Sequence, residues 1–557
     1  MNDFVDLFED AELEGAMETW LASESDKGEI FTKPEVVSFM LSTIGLSGNL
    51  INKEVSVLEP SCGHGEFVAA IVESLASEID ALGEAPPVHQ LTEKLLAYDL
   101  SEENVQETKG KVARLLERHY SRDDAALLSD HWIVCADYLL SDIERSFSHI
   151  IGNPPYIRVE NIPREILSAY RRRFKTMSDR ADIYVAFYEK SLSLLEQGGQ
   201  LSFICTDRWV KNQYGRKLRE LICNNFSLDM YVDLYGKDSF QRKVLTYPAI
   251  TLISRKERSP AVVLHGPTLS DDLALSVKKS LESKLPYSEE ISVRADVVKG
   301  SNPWLLGSLE EIELVRKLEE NFPTLEEEGC KVYIGAATGN NKVFIVNEDL
   351  DIEQSRKIPV ISSKETRSGE LINSGKCIIN TYDESGVINL SAYPKLKKYL
   401  ESNRHQLERR HVAKLSPKNW FKTIDRVYPE RAYSEKLMIP DIKSELTVIY
   451  DEGRYHPNNS IYYICSEEWD LIALKAVLES GIGRLFINTY STKVASGFLR
   501  FQAQHLRRIR VPKWSELSTE VKRNLITAGS DNNIVLGRET VAAAYGLSKS
   551  ELQLIGN

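Results

Sequence analysis

The chain has no long hydrophobic run. Its 557 residues contain no uninterrupted stretch of about eighteen apolar residues, the length that a membrane-spanning helix needs. The N-terminal stretch MNDFVDLFEDAELEGAMETW is acidic throughout, whereas a secretory signal begins with basic residues and continues with apolar ones. We therefore expect neither a membrane span nor a secretory signal, and we predict a cytoplasmic protein.

Cysteine is scarce, and its spacing offers no obvious pairs. The chain has seven cysteines, an odd number, and no C-x-x-C pair. This pattern argues against a disulfide framework and a structural zinc site, and it is typical of a reducing compartment. The H-E-x-x-H motif of zinc hydrolases is also missing. We expect no metal in the functional site.

Positive charge is in deficit, but its distribution is uneven. The formal net charge is −13, which is not the basic total typical of a nucleic-acid-binding protein. Residues 1–28 hold nine acidic residues and one lysine, whereas residues 404–436 hold nine Lys or Arg against four Asp or Glu. A local basic face can bind phosphates whatever the total charge of the chain is.

Short apolar segments alternate with amphipathic helical segments in the first half of the chain. Apolar runs end at Glu59, Asp99 and near Asp137, and a fourth lies in SHIIGNPPY. Patterns with helical spacing lie between them. This alternation predicts an α/β fold with a doubly wound, Rossmann-like parallel sheet.

Changes of pattern along the chain divide it into four parts. Residues 1–28 are expected to be a peripheral acidic segment and residues 29–258 to be the domain that contains the sheet. Residues 259–330 have helical stretches and an acidic cluster, and we expect a connector there. Short apolar runs and many turns follow, so we predict a second, mixed α/β domain over residues 331–557.

The segment VLEPSCGHGEF indicates a strand followed by a glycine turn. Glu59 ends the strand, and Gly63 and Gly65 follow it. Glycines permit a positive φ and let a ligand approach the backbone closely, at the edge where open α/β sheets bind their ligands. Alone, this turn also fits a plain strand–helix connection. The dinucleotide-binding fingerprint is not met, because Val68 occupies its third glycine position.

Acidic residues end the next two predicted strands as well. Asp99 is placed to accept hydrogen bonds from the ribose hydroxyls of an adenosine. Asp137 can accept a bond from an adenine amine, and the ring of Tyr138 can cover the base. Any single strand can end in an acidic residue. Three consecutive strands that do so, with a glycine turn after the first, predict a pocket for an adenosine-containing cofactor.

The run IIGNPPY ends the fourth predicted strand with residues that cannot continue it. Pro154 and Pro155 lack backbone donors and fix φ, so they stop the strand, and they hold Asn153 in extended geometry. The Asn153 amide oxygen and the Pro154 carbonyl are then two acceptors that match the two N–H donors of an exocyclic amine. Tyr156 can stack on a planar base. The alternative is a simple conformational stop with a tyrosine at the sheet edge.

Taken in order, FTKPEVVSFM, VLEPSCGHGEF, AYDL, CADYL and IGNPPY resemble the gamma-class adenine-N6 DNA methyltransferases of restriction-modification systems. The resemblance covers residues 28–258 well and is looser beyond residue 330. It implies a methyltransferase sheet, S-adenosylmethionine as cofactor and a C-terminal target-recognition domain. The implied cofactor-binding residues are Thr32 and Glu59 near the methionine end, Gly63 in the turn, Asp99 at the ribose, and Asp137 with Tyr138 at the adenine.

By the same resemblance, Asn153, Pro154 and Tyr156 hold a target adenine. Phe240 matches an aromatic residue that packs on the other face of that base, with Tyr235 and Tyr247 as nearby alternatives. The implied activity is transfer of a methyl group to N6 of a flipped-out adenine in double-stranded DNA, as the modification enzyme of a restriction-modification system. A restriction endonuclease acting on the same site is the expected partner. We expect a monomer, because the target-recognition domain lies on the same chain.

Three alternatives stay open at this stage. A cytosine-N4 enzyme also methylates an exocyclic amine, although serine is commoner than asparagine at position 153 in that class. Enzymes that methylate a protein glutamine share N-P-P-Y but are typically about half this length. A non-catalytic DNA-binding specificity subunit would bind DNA well and the cofactor weakly. A cytosine-C5 enzyme is excluded, because no Pro-Cys pair occurs in the chain.

Basic stretches are the candidates for DNA contacts. Each also fits a solvated charged surface, and sequence alone does not say which side chains reach bases. The polar run GAATGNNK, residues 335–342, is expected to be a connector rather than a groove-binding element. The candidate DNA-binding residues are Arg172, Arg173, Arg409, Arg410, Lys414, Lys418, Arg507 and Arg508.

Overall fold

The computed structural model of the chain divides it into two compact units. They comprise Met1–Leu306 and Gly307–Asn557. The structure describes residues 13, 15–20, 30–241, 248–367, 369–443, 445–491 and 499–556.

The first unit is built on a nine-stranded sheet. Residues 13 and 15–20 are helical, and short 3₁₀ turns span Val159–Asn161 and Gln213–Gly215. Strands β1 to β9 are Val57–Glu59, Leu95–Asp99, Ile133–Cys135, Phe147–Gly152, Leu195–Thr206, Ser227–Asp233, Pro248–Ser254, Ala261–His265 and Ser292–Arg294. The helices are Pro34–Ile44, Glu66–Leu82, Val88–Leu91, Glu102–Leu116, Arg122–Trp132, Arg164–Arg173, Tyr184–Ser193, Arg208–Lys211, Arg216–Asn225 and Asp271–Ser283.

The sheet has the strand order β3-β2-β1-β4-β5-β7-β6-β8-β9. Strands β1 to β5 pair in parallel, so the predicted doubly wound α/β fold is confirmed. The far side of the sheet is mixed, because β7 runs antiparallel to β5 and β6 and β9 runs antiparallel to β8. Consecutive antiparallel strands such as β6 and β7 need no crossover helix, so helix–strand alternation does not predict them.

The predicted helices form with their expected end signals. Helix Pro34–Ile44 has Pro34 in its first turn and Gly45 at its C-terminal end, at φ +83°. Helix Glu102–Leu116 begins after Ser101, whose hydroxyl accepts a hydrogen bond from the Asn104 backbone N–H at 3.3 Å. These caps satisfy backbone groups at the C-terminal end of the first helix and at the N-terminal end of the second.

The expected connector over residues 259–330 differs from the structure. Strands β8 and β9 lie within it and extend the sheet, and the first unit continues to Leu306. Trp304 is fully buried and its ring lies 5.5 Å from that of Trp209, centroid to centroid. These strands are only five and three residues long, too short to be distinguished from a connector by periodicity.

The second unit is mixed α/β, as predicted. It contains two four-stranded sheets, ordered β10-β20-β16-β18 and β11-β13-β12-β19, and two two-stranded sheets, β14-β15 and β17-β21. Strands β10 to β21 are Cys330–Ile334, Ile345–Asn347, Lys357–Ile361, Lys376–Ile379, Tyr382–Asp383, Gly386–Val387, Lys436–Pro440, Ile442–Lys443, Ile449–Asp451, His456–Pro457, Ile461–Ser466 and Leu499–Arg500.

Helices of the second unit lie mainly at its two ends. The π-helix Leu478–Ile482 joins two of them, and 3₁₀ turns span Gln354–Arg356, Leu390–Ala392, Pro417–Asn419 and Trp514–Glu516. The α-helices are Leu309–Asn321, Asn341–Phe344, Pro394–Ser402, Arg404–Leu407, His411–Leu415, Pro429–Ala432, Leu471–Val477, Gly483–Tyr490, Ala503–Leu506, Thr519–Ser530, Ile534–Tyr545 and Lys549–Gly556. Across the described residues, no helix combines the length and the apolar character of a membrane span.

We predict that Gly65 is required for stability at the start of helix Glu66–Leu82. Its φ is +83°, and a Cβ there would lie 2.7 Å from Cγ2 of the buried Thr108. Gly45 has the same φ of +83° with nothing within 4 Å of such a Cβ, so Gly45→Ala is a matched control. Left-handed geometry costs a non-glycine residue about 1–2 kcal/mol. In calorimetry, Gly65→Ala is expected to lower the Tm more than Gly45→Ala, and equal losses would refute the steric argument.

Candidate functional site

A cavity opens at the carboxyl ends of β1 to β4, with about 980 Å³ of empty space when the open solvent at its mouth is included. Glu59 and Asp99 are the last residues of β1 and β2, Asp137 follows β3, and Asn153 follows β4. The structure therefore brings together four residues that the sequence predicted for one site, and Thr32 and Gly63 join them.

The Asp99 carboxylate ties the glycine turn to the end of β2. Its Oδ2 accepts a hydrogen bond from the Gly63 N–H at 2.9 Å. Its Oδ1 accepts bonds from the Ser101 N–H at 2.9 Å and from Nδ2 of Asn104 at 3.1 Å. The carboxylate is thus rigidly oriented by the backbone and the next helix, which fixes the turn at the mouth of the cavity.

Glu59 is the least satisfied acid of the cavity. The residue is 1% exposed, and its Oε2 has no hydrogen-bond partner among the described residues. Burial raises the pKa of Glu59 well above its ordinary value, and the nearby Glu66 and Asp99 carboxylates raise it further. Since buried polar atoms are almost always paired, this oxygen is suited to a hydrogen-bond donor or a cation on a ligand.

The side-chain amide of Asn153 has a defined orientation. Its Nδ2 donates to the Ile30 carbonyl at 2.7 Å and to the Thr32 hydroxyl at 3.1 Å. Its Oδ1 is buried and has no partner among the residues that the structure describes. Because the two donor bonds assign the amide, the acceptor oxygen is the atom left for a ligand. Thr32 therefore orients Asn153, a role that the sequence did not reveal.

Asp137 and Tyr138 lie deep in the cavity wall. Oδ1 of Asp137 accepts the Leu139 N–H at 2.8 Å, and its Oδ2 accepts the Tyr170 hydroxyl at 2.8 Å. Burial raises the pKa of Asp137. The Tyr138 hydroxyl is 2.8 Å from the hydroxyl of Ser191. These bonds leave the Tyr138 ring as a fixed, flat wall of the cavity.

Lys190 supports this wall from helix Tyr184–Ser193. Its ammonium lies 4.6 Å from the centroid of the Tyr138 ring and donates to the Tyr138 and Ser141 carbonyls. Burial lowers the pKa of Lys190 to about 8. The position was not predicted, since a lysine in a helical pattern reads as exposed.

Three other predicted residues do not line the cavity. Pro154 is buried behind it, and Pro155 lines it instead. Tyr156 donates its hydroxyl to the Ile204 carbonyl at 3.3 Å. The rings of Tyr156 and Phe240 meet edge to face, with centroids 6.3 Å apart at an interplanar angle of 70°. A base held between these two rings would require them to separate. Of the alternatives to Phe240, Tyr247 lies outside the described residues.

Several aromatic residues of the cavity were not predicted. Trp20, in the expected peripheral acidic segment, lines the cavity and is 5% exposed. Phe31 lines it as well, with its ring 4.2 Å from that of His64, and so do Tyr170 and Phe187. Phe31 begins the segment FTKPEVVSFM quoted above, whereas Trp20, Tyr170 and Phe187 reach the cavity from helices that none of the quoted motifs includes.

Helix Arg164–Arg173 links three arginines to the wall of the cavity. This helix carries Tyr170, which bonds Asp137, and ends in Arg171, Arg172 and Arg173. Arg172 is exposed. Arg173 donates to the Leu140 carbonyl at 2.6 Å and pairs with Asp142 at 3.2 Å.

The basic candidates of the second unit fall into two groups. Arg409, Lys414 and Lys418 are exposed. Arg410 is partly buried and donates to the carbonyls of Thr338, Trp420 and Lys422 at 2.8–3.0 Å. It therefore connects backbone segments, which sequence spacing did not indicate.

Arg507 and Arg508 are both engaged within the second unit. Arg507 pairs with Glu326 at 2.8 Å and donates to the Val332 carbonyl at 2.8 Å. Arg508 lies 3.8 Å from a Glu319 carboxylate oxygen and 4.2 Å from the centroid of the Tyr490 ring. Any phosphate contact by these arginines competes with those bonds.

Comparisons with known proteins agree with this architecture. Residues 74–240 match the Eco57I restriction-modification methylase family, and residues 369–511 match the TaqI-like C-terminal specificity domain. The Type II methyltransferase M.PaeR7I of Pseudomonas aeruginosa is 42% identical over 545 residues, covering 95% of this chain and 93% of that protein. M.XhoI of Xanthomonas vasicola is 41% identical over 540 residues, covering 95% and 99%.

A solved structure shares the fold. The Type IIL restriction-modification enzyme MmeI, in complex with DNA, superimposes with a TM-score of 0.61 at 11% identity. The match covers 94% of this chain and 77% of that chain. At this identity the similarity supports the architecture of the chain and leaves the roles of individual residues to the geometry described above.

We predict that removing the Glu59 charge stabilises the protein at high pH. A carboxyl whose pKa is raised in the folded state lowers the stability of the protein as the pH rises above the pKa of that carboxyl in the unfolded chain, about 4.3. Glu59→Gln removes this loss of stability. Its Tm is therefore expected to exceed that of the wild type at pH 8, by about 2–4 °C for each 1 kcal/mol of unfolding free energy that is recovered. The difference should shrink toward pH 5.

The control for this prediction is Glu35→Gln, which removes an exposed carboxylate from helix Pro34–Ile44. Thermal unfolding of the three proteins between pH 5 and pH 8 makes the comparison. A pH-independent difference between Glu59→Gln and the wild type would show that the Glu59 carboxyl is not kept neutral by burial.

Proposed function

Because the chain belongs to the Type II methyltransferases of restriction-modification systems, we propose that it is a site-specific DNA adenine-N6 methyltransferase. The observation that carries the proposal is the Oδ1 atom of Asn153, a buried acceptor without a partner among the described residues, fixed at the cavity by two hydrogen bonds. An exocyclic amine is the donor that such an atom accommodates.

The chemistry of the cavity wall fits S-adenosylmethionine. Glu59 provides a buried, unpartnered oxygen for the α-ammonium group of the methionine moiety. Asp99 is the acceptor for the ribose hydroxyls, and Asp137, beside the Tyr138 ring, is the acceptor for the adenine amine. When bound, the cofactor supplies an electrophilic methyl group on a sulfonium.

The contribution of this chain to the reaction is positioning and electrostatics. The amine of adenine is a poor nucleophile because its lone pair is delocalised into the ring. Asn153 Oδ1 would accept one of its two hydrogens and favour a more tetrahedral nitrogen. The Pro154 carbonyl would accept the other hydrogen only if entry of the base exposes it, because Pro154 does not line the cavity. These acceptors would also stabilise the positive charge that the nitrogen gains during methyl transfer. No covalent enzyme intermediate is needed.

The target base must leave the duplex to reach this site, at an unstacking cost of a few kcal/mol. Tyr156 and Phe240 would recover part of that cost, since a base–aromatic stack contributes about 1–3 kcal/mol. Their present edge-to-face contact implies that the base displaces one ring as it enters. The asparagine at position 153 favours adenine over cytosine, because serine is commoner there in cytosine-N4 enzymes.

The second unit is proposed to select the DNA sequence. Its match to the TaqI-like specificity domain and its exposed cations Arg409, Lys414 and Lys418 support this assignment. A restriction endonuclease acting on the same sequence would be its biological partner, with the methyltransferase acting as a cytoplasmic monomer. Arg172, exposed on the helix that carries Tyr170, is proposed to hold the backbone of the flipped strand.

The test of the proposed reaction exposes purified protein to mixed-sequence DNA with isotopically labelled S-adenosylmethionine. Modified positions are then mapped by modification-sensitive sequencing. The expected result is N6-methyladenine in one short sequence. Label in cytosine, or in a protein glutamine, would replace the adenine assignment, and DNA binding without transfer would indicate a specificity subunit.

We predict that Asn153→Ala reduces methyl transfer by at least about 10²–10³-fold, as loss of a charge-stabilising group at a reacting atom typically does. Cofactor affinity, measured by calorimetry, is expected to stay close to that of the wild type, because Glu59, Asp99 and Asp137 are unchanged. Asn161→Ala, at an exposed position in the following turn, is the matched control and should be fully active. Normal transfer by Asn153→Ala would rule out its amide as the acceptor.

A further inference from the structure

Two loops of the second unit are joined into a single element. We call residues 335–342 and 420–426 the paired loops. The Ala337 N–H donates to Oδ2 of Asp425 at 2.8 Å, and the Asp425 N–H donates to the Ala337 carbonyl at 2.9 Å. Loop 335–342 thus does more than connect β10 to β11, which is the role expected from its sequence.

Arg410 holds the paired loops together through hydrogen bonds. Its guanidinium donates to the Thr338 carbonyl in the first loop and to the Trp420 and Lys422 carbonyls in the second. The same group lies 4.9 Å from the centroid of the buried Phe344 ring. A cation that satisfies three carbonyls on two loops holds them in one geometry.

Internal hydrogen bonds stiffen each loop separately. In the first, the Thr338 hydroxyl donates to Oδ1 of Asn341 at 2.6 Å and accepts from the Asn340 N–H at 3.1 Å. In the second, the hydroxyl of the buried Thr423 donates to the Asp425 carbonyl at 2.6 Å. The element is therefore rigid without a large hydrophobic core of its own.

The tip of the element is apolar and exposed. Ile424 is 51% exposed, and its side chain lies across Gly339, where a Cβ would be only 3.0 Å away. Asn341 and Lys342 are exposed at the same loops. A single exposed isoleucine is common on protein surfaces. Ile424 differs because hydrogen bonds hold the paired loops in one geometry, which keeps its side chain available to a partner.

The surroundings of the tip indicate the charge of that partner. Residues 404–422 contain six Lys or Arg and one Glu, in a chain whose net charge is −13. Arg409, Lys414 and Lys418 are exposed on the short helix and turns that lead into the second loop. Exposed cations on the segment that leads to an apolar tip match DNA, where phosphates flank a groove that apolar side chains can enter.

From these observations we propose that the paired loops enter a DNA groove, with Ile424 in contact with base pairs and Lys414 and Lys418 on the flanking phosphates. The inference rests on the proposed function in that it takes DNA as the substrate. Arg410 is then a positioning residue, which acts through the loops rather than on DNA. Base contact by Ile424 would make binding sequence-dependent, whereas the lysine contacts would not.

The test measures binding of the full-length protein to two fluorescein-labelled duplexes. One is selected by binding from random-sequence DNA, and the other lacks the selected sequence. Ile424→Ala is expected to weaken binding to the selected duplex by about tenfold and to the other by less than about twofold. Ile442→Ala, which truncates an isoleucine of equal exposure (52%) elsewhere in the unit, should bind both duplexes as the wild type does.

The lysines have a different expected signature. Lys414→Gln together with Lys418→Gln should weaken binding to both duplexes and reduce the slope of log Kd against log salt by about two, because each phosphate contact contributes about 0.9. Cofactor affinity should be unchanged in all variants, because the cavity lies in the first unit, and cooperative thermal unfolding shows that the second unit is folded.

The outcomes separate this inference from the proposed reaction. If Ile424→Ala binds both duplexes like the wild type, or no worse than Ile442→Ala, the paired loops are not in the groove, even if adenine is methylated. If no adenine is methylated but Ile424→Ala still loses the selected duplex, the reaction proposal fails and the inference stands. A weakening equal for both duplexes would overturn the base contact.

Discussion

The fixed amide of Asn153 is the constraint on which the site depends. Its two donor hydrogens are satisfied by Ile30 and Thr32, so only one orientation of the amide satisfies the bonds, and the acceptor oxygen is left at the cavity. Thr32 is itself held by an antiparallel bridge to Phe240, which follows the sheet strand β6. The orientation of this one oxygen therefore depends on the segment before helix Pro34–Ile44, on the end of β4 and on the chain after β6.

The four acidic or amide residues at the strand ends differ in how they are satisfied. The oxygens of Asp99 and Asp137 already accept bonds from backbone N–H groups, a side-chain amide and a tyrosine hydroxyl. Those bonds favour the ionised form and offset the burial of the charge. Glu59 has no such partner at Oε2. The pocket therefore has satisfied acceptors at Asp99 and Asp137 and an unsatisfied one at Glu59, which a ligand cation would complete.

The cations of the second unit have two roles, internal hydrogen bonding and surface charge, and composition does not distinguish them. Arg410 is part of the internal framework, and Arg507 and Arg508 are paired with glutamates or stacked on a ring. Arg409, Lys414 and Lys418 remain at the surface. A count of cations along residues 404–436 therefore overstates the basic surface, because Arg410 and the buried Lys436 are bound inside the unit.

The sequence by itself determined the parts of the protein that depend on near neighbours. Strand ends at Glu59 and Asp99, the stop at Pro154 and the glycine turn follow from local propensity and backbone geometry, and the structure places them together because the ends of parallel strands share an edge. Only the tertiary structure decided the antiparallel part of the sheet, the aromatic wall from Trp20 and Tyr170, and the inward Arg410. The bond from Asn153 to Ile30 spans 123 positions. Contacts at such separations leave no periodic signal in the sequence, because a group with the same hydrogen-bonding capacity or the same shape can replace either partner.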